Sequence, residues 1–289
     1  MSAIAYITDS KMLELHRLNN HKTVNFWRLS TNVNFSDFGV GDLVFFLSKD
    51  KEHRKRNEKG IVGFGRVKEI NVASIKTMWD KYGLLNGYQN IDEFKESILR
   101  VSKDKKLPKK ISGFLLENVT FFQPIYLSEC GIRISNNIES YIYLKPAETV
   151  TKLLRLAKES KDLWSDLNDN SEAIEKEEII FALFASHKKI GDIEETEKIL
   201  RKARKVLNQF KEEHEGYEFV QNSNNELYRL KGYDLDVVFY NDKEINDRLL
   251  IGQVGLYKRY LEDYYDGKVY TRFISSNHDS ELNAIMNKY

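Results

Sequence analysis

The sequence is poor in cysteine, proline and long apolar runs, and each scarcity excludes a class of protein. The single cysteine, Cys130, excludes an intrachain disulfide and an all-cysteine zinc site. Only 3 prolines argue against long proline-rich linkers. The longest clean apolar run, Ile179–Ala185, is too short to span a bilayer, and the first residues lack the pattern of a signal peptide. We therefore expect a cytoplasmic globular protein.

The charge of the chain is divided between its two halves. Residues 1–146 carry 23 Lys and Arg against 16 Asp and Glu, a net charge of +7, whereas residues 147–289 carry 22 against 28, a net charge of −6. A chain of 289 residues is long enough for two domains, and the asymmetry predicts that they have different partners. The alternative is that a helical half carries surplus glutamate on its surface.

The stretch Gly39–Val67 consists of two short apolar segments joined by a charged connector. Leu43–Leu47 and Ile61–Val67 are β-branched or aromatic and bounded by turn residues, as strands are. Glycine inside the second segment indicates a bulge or a close approach of backbones. The connector KDKEHRKRNEK, residues 49–59, holds six basic and three acidic residues and is called the basic connector below. We predict a pair of strands that presents a basic arm; the alternative is an ordinary solvated loop.

The order FWRLS, GDLVFFLSK, GIVGFGRV, SGFLLENVTFF and PIYLSECGI resembles the EVE branch of the PUA-like superfamily over roughly residues 24–146. The resemblance implies a small, partly open β-barrel with flanking helices. It also implies an aromatic-lined pocket that accepts a modified nucleobase, beside a basic surface that holds the nucleic-acid backbone.

The residues suited to that task are aromatic and polar side chains near the ends of predicted strands, together with lysines and arginines. A base taken out of its stack needs a π-face and a few polar groups for its edge, and basic side chains release counterions from phosphates. The base-pocket candidates are Trp27, Ser30, Ser48 and Trp79. The backbone-binding candidates are Lys51, Arg54, Lys55, Arg56, Lys105 and Lys106. The alternative is that both tryptophans belong to the core and both serines to turns.

The last segment, from Ile251 to Tyr289, resembles the end of PD-(D/E)xK nucleases, and the resemblance covers roughly residues 195–289. It implies a helix that directs Gln253 and either Tyr257 or Tyr260 toward the site, followed by the strand Val269–Ser275. In an active member, carboxylates on two strands hold magnesium, which activates water, and a lysine assists.

The nuclease pattern can be aligned with this domain in two registers, and neither register supplies a complete set of Asp, Glu and Lys. In the first, Glu226 takes the Asp position, and Phe239 and Asn241 fall where the second acid and the lysine belong. In the second, Asp236 is the metal ligand, Gln253 heads the following triplet and Lys258 replaces the lysine. The catalytic candidates are therefore Glu226, Asp234, Asp236, Gln253 and Lys258. We expect a nuclease-like fold whose active site has decayed or moved; alternatively, Asp234 and Asp236 are solvated acids at the start of a strand.

Together these patterns predict an α+β protein in three parts. Residues 1–146 form an EVE/PUA-like nucleic-acid-binding domain, residues 147–194 a helical linker, and residues 195–289 a PD-(D/E)xK-like α/β domain. The leading hypothesis is a protein that binds DNA or RNA, with DNA preferred, and that recognises a modified base; the domain pairing adds, by analogy, a role in modification-dependent defence. The alternatives are an active magnesium-dependent endonuclease and a protein-interaction module. The six histidines show no metal-ligand spacing, so no cofactor is expected except magnesium if the C-terminal domain is active.

Overall fold

The computed structural model divides the chain into two compact units, Met1–Glu175 and Lys176–Tyr289. It describes residues 2–33, 35–48, 58–132, 138, 140–160, 171–190, 197–221, 223–241, 247–265 and 267–275. Most of the basic connector, residues 49–57, lies outside the described residues, as does everything after residue 275. The predicted division at residues 146 and 194 stays a prediction.

The first unit contains six strands and four α-helices among its described residues. The strands are β1 (Ala3–Thr8), β2 (Val24–Arg28), β3 (Leu43–Ser48), β4 (Gly60–Ala73), β5 (Ile111–Tyr126) and β6 (Tyr141–Tyr143). The helices are α1 (Ser10–Leu18), α2 (Ile75–Tyr82), α3 (Ile91–Val101) and α4 (Ala147–Glu159). Short 3-10 helices follow α2 and β5, at Gly83–Asn86 and Leu127–Cys130. The two apolar segments of Gly39–Val67 are therefore strands, as predicted.

The six strands form one sheet in the order β2-β5-β4-β3-β1-β6, with β1 and β3 parallel and the other pairs antiparallel. Although three strands separate β1 from β2 in this order, the ring centroids of Tyr6 and Phe26 are only 5.0 Å apart. Phe26 also stacks on Phe46 of β3 at 6.1 Å. The sheet must therefore curl around an aromatic interior, which is the geometry expected of a small, partly open barrel.

Glycines in β4 allow this curvature. A Cβ atom on Gly63 would lie 2.6 Å from the carbonyl oxygen of Thr120 on β5, and one on Gly65 would lie 2.9 Å from Val119. The register between β4 and β5 shifts on both sides of these residues. The predicted bulge is confirmed, because only glycine permits such an approach of neighbouring strands.

A second apolar cluster joins α2 and α3 to the sheet. Phe94 and Ile98 of α3 and Met78 of α2 are buried in it. Both helices begin at side-chain caps: Ser74 accepts a hydrogen bond from the amide of Thr77, and Asn90 accepts from the first-turn amides of α3. The caps satisfy amides that would otherwise have no partner, and they fix where α3 starts and thus where its last residue, Val101, lies.

The second unit is built on a four-stranded sheet. Its strands are β7 (Glu218–Phe219), β8 (Glu226–Lys231), β9 (Asp234–Asn241) and β10 (Val269–Ser275), in the order β10-β9-β8-β7. Its helices are α6 (Glu197–Glu213), α7 (Asp247–Tyr264) and the part of α5 (Ser171–Ile190) from Lys176 onward. Strands β7, β8 and β9 are antiparallel neighbours, and β9 and β10 are parallel. The predicted strand Val269–Ser275, the helix that precedes it and the mixed α+β class are confirmed.

None of the helices in the described part of the chain is long and apolar enough to cross a membrane.

Candidate nucleic-acid interface

A cavity of about 290 Å³, called the base pocket below, opens between β1, β2 and the end of α3 in the first unit. Its walls include three aromatic residues, one arginine, one carboxylate and two aliphatic hydroxyls. The lining residues are Tyr6, Ile7, Thr8, Asp9, Met12, Phe26, Trp27, Arg28, Leu29, Ser30 and Val101. Aromatic faces and a few polar groups in one concavity are what recognition of a base requires.

Two of the four predicted base-pocket residues line this cavity. Trp27 is half-buried, and its ring also packs edge-on against Phe94 at 5.6 Å, so it serves the core as well as the pocket. Ser30 is exposed, and its carbonyl oxygen accepts hydrogen bonds from Ser112 Oγ at 2.6 Å and from Arg28 Nε at 3.2 Å.

The other two predicted residues lie outside the cavity wall. Ser48 is buried at the end of β3, where it is the ladder partner of Thr8. Trp79 is half-buried on α2 and packs against Phe94 at 5.9 Å. Phe94 thus lies between the two tryptophans, and only Trp27 reaches the cavity. The assignment of Ser48 and Trp79 to a base site stays a prediction.

Arg28 is a lining residue that the sequence analysis did not single out. Its guanidinium carbon lies 4.7 Å from the Phe35 ring centroid and 5.6 Å from that of Phe114. Its Nη2 donates to the carbonyl oxygen of Asn32, whereas its Nη1 is buried without a hydrogen-bond partner. Burial lowers the pKa of Arg28, and no described carboxylate forms an ion pair with it. The strand alternation that puts Arg28 on the same face as Phe26 was the available clue.

The tyrosine beside this arginine remains a neutral phenol. Burial raises the pKa of Tyr6, and the charge of Arg28 only partly offsets that effect. Asp9, at the rim, caps α1 by accepting from the amide of Lys11 and lies 3.8 Å from Arg100. The pocket therefore combines an aromatic wall with the positive charge of Arg28. The one carboxylate of its lining, Asp9, faces Arg100 instead.

An exposed lysine loop begins and ends beside the base pocket. Residues 102–110 follow Val101, which lines the cavity, and precede β5, whose Ser112 is the ladder partner of Arg28. This segment is called the lysine loop below. Its exposed lysines are Lys103, Lys105, Lys106, Lys109 and Lys110. The predicted backbone contacts Lys105 and Lys106 thus follow the cavity-lining Val101 by four and five residues, and Lys105 Nζ donates to the carbonyl oxygen of Arg100. Lys51, Arg54, Lys55 and Arg56 fall outside the described residues.

The catalytic candidates of the second unit do not converge on one site. Residues opposite each other in an antiparallel pair point to the same face of a sheet. Glu226 is opposite Phe239, whereas Asp236 is opposite Arg229 and Asp234 is opposite Lys231. Side chains alternate between the two faces along a strand, and Glu226 is an odd number of residues from Arg229 and Lys231. Glu226 therefore lies on one face of the sheet, and both aspartates lie on the other.

The face with Glu226 is covered by helices α5 and α7. Glu226 is buried, and its carboxylate lies 3.2 Å from His187 Nδ1 on α5. On α7, Tyr257 packs against Phe239 at 5.5 Å. Gln253 is one turn before Tyr257 and lies on the same side of that helix. Glu226, Phe239 and Tyr257 thus share one face of the sheet, and the assignment of the first register, with Phe239 and Asn241 in the places of the second acid and the lysine, stays a prediction.

The residues of the second register do not lie together, because Asp236 lies on the sheet face away from α7, which carries Gln253 and Lys258. Asp236 is buried and accepts four hydrogen bonds, from Tyr217 Oη at 2.5 Å, Arg229 Nη2 at 3.2 Å, and Arg272 Nη2 and Nε at 2.6 and 3.2 Å. Burial, followed by the adjacent Asp236, raises the pKa of Tyr217 to about 12. Among the described residues, no three His, Cys, Asp or Glu side chains are grouped so as to hold a metal ion.

Comparison with known proteins gives little beyond the geometry. No protein-family model matches the chain, and no curated protein matches it. Among solved structures, the chain is similar to ASCH from Zymomonas mobilis, with 16% identity and a TM-score of 0.39, over 53% of this chain and 94% of that one. A point mutant of the same protein gives 15% identity and a TM-score of 0.39, over 54% of this chain and 99% of that one. At this level of likeness nothing about fold or function is transferred from those structures.

Proposed function

We propose that the first unit binds nucleic acid and takes one unpaired base into the base pocket. The observation that carries the proposal is the position of an aromatic, arginine-containing cavity directly beside the exposed lysine loop. The half with these features also has the net charge of +7. A positive surface attracts the backbone without regard to sequence, whereas the pocket supplies contacts to one base.

The size of the cavity fits a single base rather than a larger ligand. Its volume of about 290 Å³ lies at the lower end of the range of roughly 300–1,000 Å³ that is typical of pockets for drug-sized molecules. Trp27 and Tyr6, which are half-buried, offer ring surfaces for stacking, and the exposed Ser30 hydroxyl can bond to a base edge. The resemblance to EVE domains extends the proposal to a modified base in DNA and, by analogy, to a role in modification-dependent defence.

The experiment is a fluorescence-anisotropy titration of the full chain with oligonucleotides that differ at one central position. Unmodified and modified bases are compared in single-stranded DNA, duplex DNA and RNA at two salt concentrations. We expect single-stranded or flippable sites to bind most tightly and affinity to fall steeply with salt. Equal and salt-independent affinities throughout, or no binding at low salt, would contradict the proposal and favour a protein-interaction module.

The aromatic wall is tested by Trp27→Leu, which keeps an apolar side chain against Phe94 but removes the stacking surface. We expect a loss of about tenfold in affinity, since stacking on one aromatic side chain is worth roughly 1–3 kcal/mol. Trp79→Leu is the matched control, because Trp79 packs on the same phenylalanine outside the cavity. Equal losses in both variants would instead support the predicted site that includes Trp79.

The lysine loop is tested by Lys106→Gln. Removing one phosphate contact on single-stranded nucleic acid should lower the slope of log affinity against log salt by about 0.7. The matched control is Lys68→Gln, because Lys68 is exposed and paired with Glu117 near the opposite end of the β2–β5 ladder. An equal change of slope in the two variants would show that charge alone, and not the place of the loop, governs binding.

A further inference from the structure

A groove of about 640 Å³ lies on the second unit along the pairing of β9 with β10. Tyr270 in its wall is 51% exposed, and Lys231 and Arg272 are exposed beside it. Tyr270 is the ladder partner of Asp236, which forms the adjoining wall of the groove. The strand register puts the half-exposed Tyr270 ring on the same sheet face as Lys231 and Arg272, so this face offers a stacking surface together with cationic groups.

The two basic and two acidic residues of the lining balance, and Arg229, which pairs with Asp236 beside the groove, adds a third positive charge. Asp236 is the common acceptor of Arg229 and Arg272, so its single negative charge faces two positive ones. Arg272 uses Nε and Nη2 for Asp236, and its side chain is 47% exposed, which leaves Nη1 available to a ligand. Lys231 adds a further positive charge at the rim, opposite Asp234 in the ladder.

We infer that this groove binds single-stranded nucleic acid, with a base stacked on Tyr270 and the adjoining phosphate held by Arg272 and Lys231. A guanidinium presents planar donors that match phosphate oxygens, and base stacking on an aromatic side chain tolerates any sequence. An acidic peptide would satisfy the arginine but would stack on Tyr270 only through an aromatic residue at the right position, whereas every nucleotide carries a base beside its phosphate. This contact goes beyond the proposed function, because it lies on the other unit and uses none of the base-pocket residues.

In this arrangement Asp236 is a positioning residue rather than a metal ligand. Its carboxylate orients Arg272 by two hydrogen bonds, and the bond from Tyr217 fixes the carboxylate in turn. Such a support reduces the loss of side-chain entropy when the guanidinium receives a phosphate. The same acid that the sequence analysis considered for metal binding thus acquires a role in holding a cation.

The test is photocrosslinking of the full chain to a single-stranded oligonucleotide that contains 5-bromouracil, with the crosslinked residues located by mass spectrometry. We expect a crosslink at Tyr270, and we expect Lys231→Gln and Arg272→Gln to reduce it severalfold. The matched control is Arg201→Gln, which removes an exposed arginine of α6 and its pair with Glu197. Lys231→Gln keeps the test decisive if loss of Arg272 unfolds the unit, because Lys231 supports no buried group.

The outcomes separate this inference from the proposed function. Crosslinks in the first unit but none at Tyr270 would overturn the inference and leave the base pocket standing. A crosslink at Tyr270 without any near Trp27 or the lysine loop would support the inference and count against the base pocket. A Tyr270 crosslink that persists unchanged in both groove variants would also overturn the inference, since Arg272 and Lys231 would then have no part in binding.

Discussion

Glu226 and Asp236 lie on opposite faces of one four-stranded sheet, although they occupy neighbouring strands. The ladder pairs Glu226 with Phe239 and Asp236 with Arg229, which fixes the direction of both side chains. Each carboxylate is already engaged: Glu226 contacts His187, and Asp236 contacts Tyr217 and two arginines. The two acids that the sequence offers for metal binding therefore belong to two different environments.

The first prediction concerns magnesium. Because the two carboxylates cannot reach one ion, we expect millimolar Mg²⁺ or Mn²⁺ to leave the thermal midpoint of unfolding unchanged and to produce no nicking of methylated or unmethylated plasmid. Differential scanning fluorimetry and a gel assay measure the two effects. A metal-dependent rise in the midpoint, or nicking, that disappears in Glu226→Gln would show that an active centre forms around this residue after all.

The second prediction concerns Asp42, the acid of the GDLVFF segment. Its carboxylate accepts hydrogen bonds from the backbone amides of Ser2 at 2.6 Å and Gly39 at 2.8 Å, and it is buried. Asp42→Ala removes the carboxylate acceptor from one buried and one part-buried amide, and we expect a loss of roughly 2–4 kcal/mol in the free energy of unfolding. Urea denaturation provides the measurement.

Asp37→Ala is the matched control for that measurement. Asp37 forms an exposed ion pair with Lys145 at 3.0 Å, and such pairs contribute about 0–1 kcal/mol. A loss for Asp42→Ala as small as that for Asp37→Ala would mean that the carboxylate does not hold the start of β3 in place.

The sequence pattern predicted the strands and helices well, but it predicted the positions of polar side chains poorly. The glycine-bounded segments, the bulge at Gly63 and the helix between β9 and β10 follow from local composition and periodicity, so they were within reach. The sheet face of Asp236 depends on strand register, where a shift of one residue reverses every side chain. The position of Arg28 against Phe35 and Phe114 depends on how the sheet curls, which no short stretch of sequence specifies.

The third prediction concerns stability in mild acid. His16 is buried, and its Nδ1 lies 2.9 Å from Nδ1 of His21. Burial, followed by the neighbouring His21, lowers the pKa of His16 to about 3. The folded pKa is below that of the unfolded chain, about 6.5, so the unfolded state takes up the proton first. The stabilisation is complete above pH 6.5 and is lost as the pH falls from there toward 3.

The size of this effect follows from the uptake of one proton per chain on unfolding. The free energy of unfolding should fall by about 1.4 kcal/mol per pH unit in that window, and hence by roughly 2 kcal/mol between pH 6.5 and 5. Urea unfolding at a series of pH values measures it, with His16→Gln expected to show a shallower dependence. The exposed His214→Gln is the control, and a parent-like slope in both variants would assign the acid sensitivity to other groups.

The fourth prediction separates Asp236 from Asp234, which share a strand and a sheet face but not an environment. Asp236→Ala leaves Arg229 and Arg272 without their acceptor, and removing one partner of a buried ion pair costs about 3–5 kcal/mol. Because the Arg272 side chain is 47% exposed, we expect a smaller loss, roughly 2–3 kcal/mol. Asp234→Ala should change the free energy of unfolding by less than about 0.5 kcal/mol, since the half-buried Asp234 side chain has no hydrogen bond or ion pair among the described residues. If both aspartates were metal ligands instead, the two variants would keep their stability in the absence of metal and lose a metal-induced stabilisation together. Thermal and urea denaturation of the pair, with and without Mg²⁺, decides between an aspartate that positions an arginine and one that binds an ion.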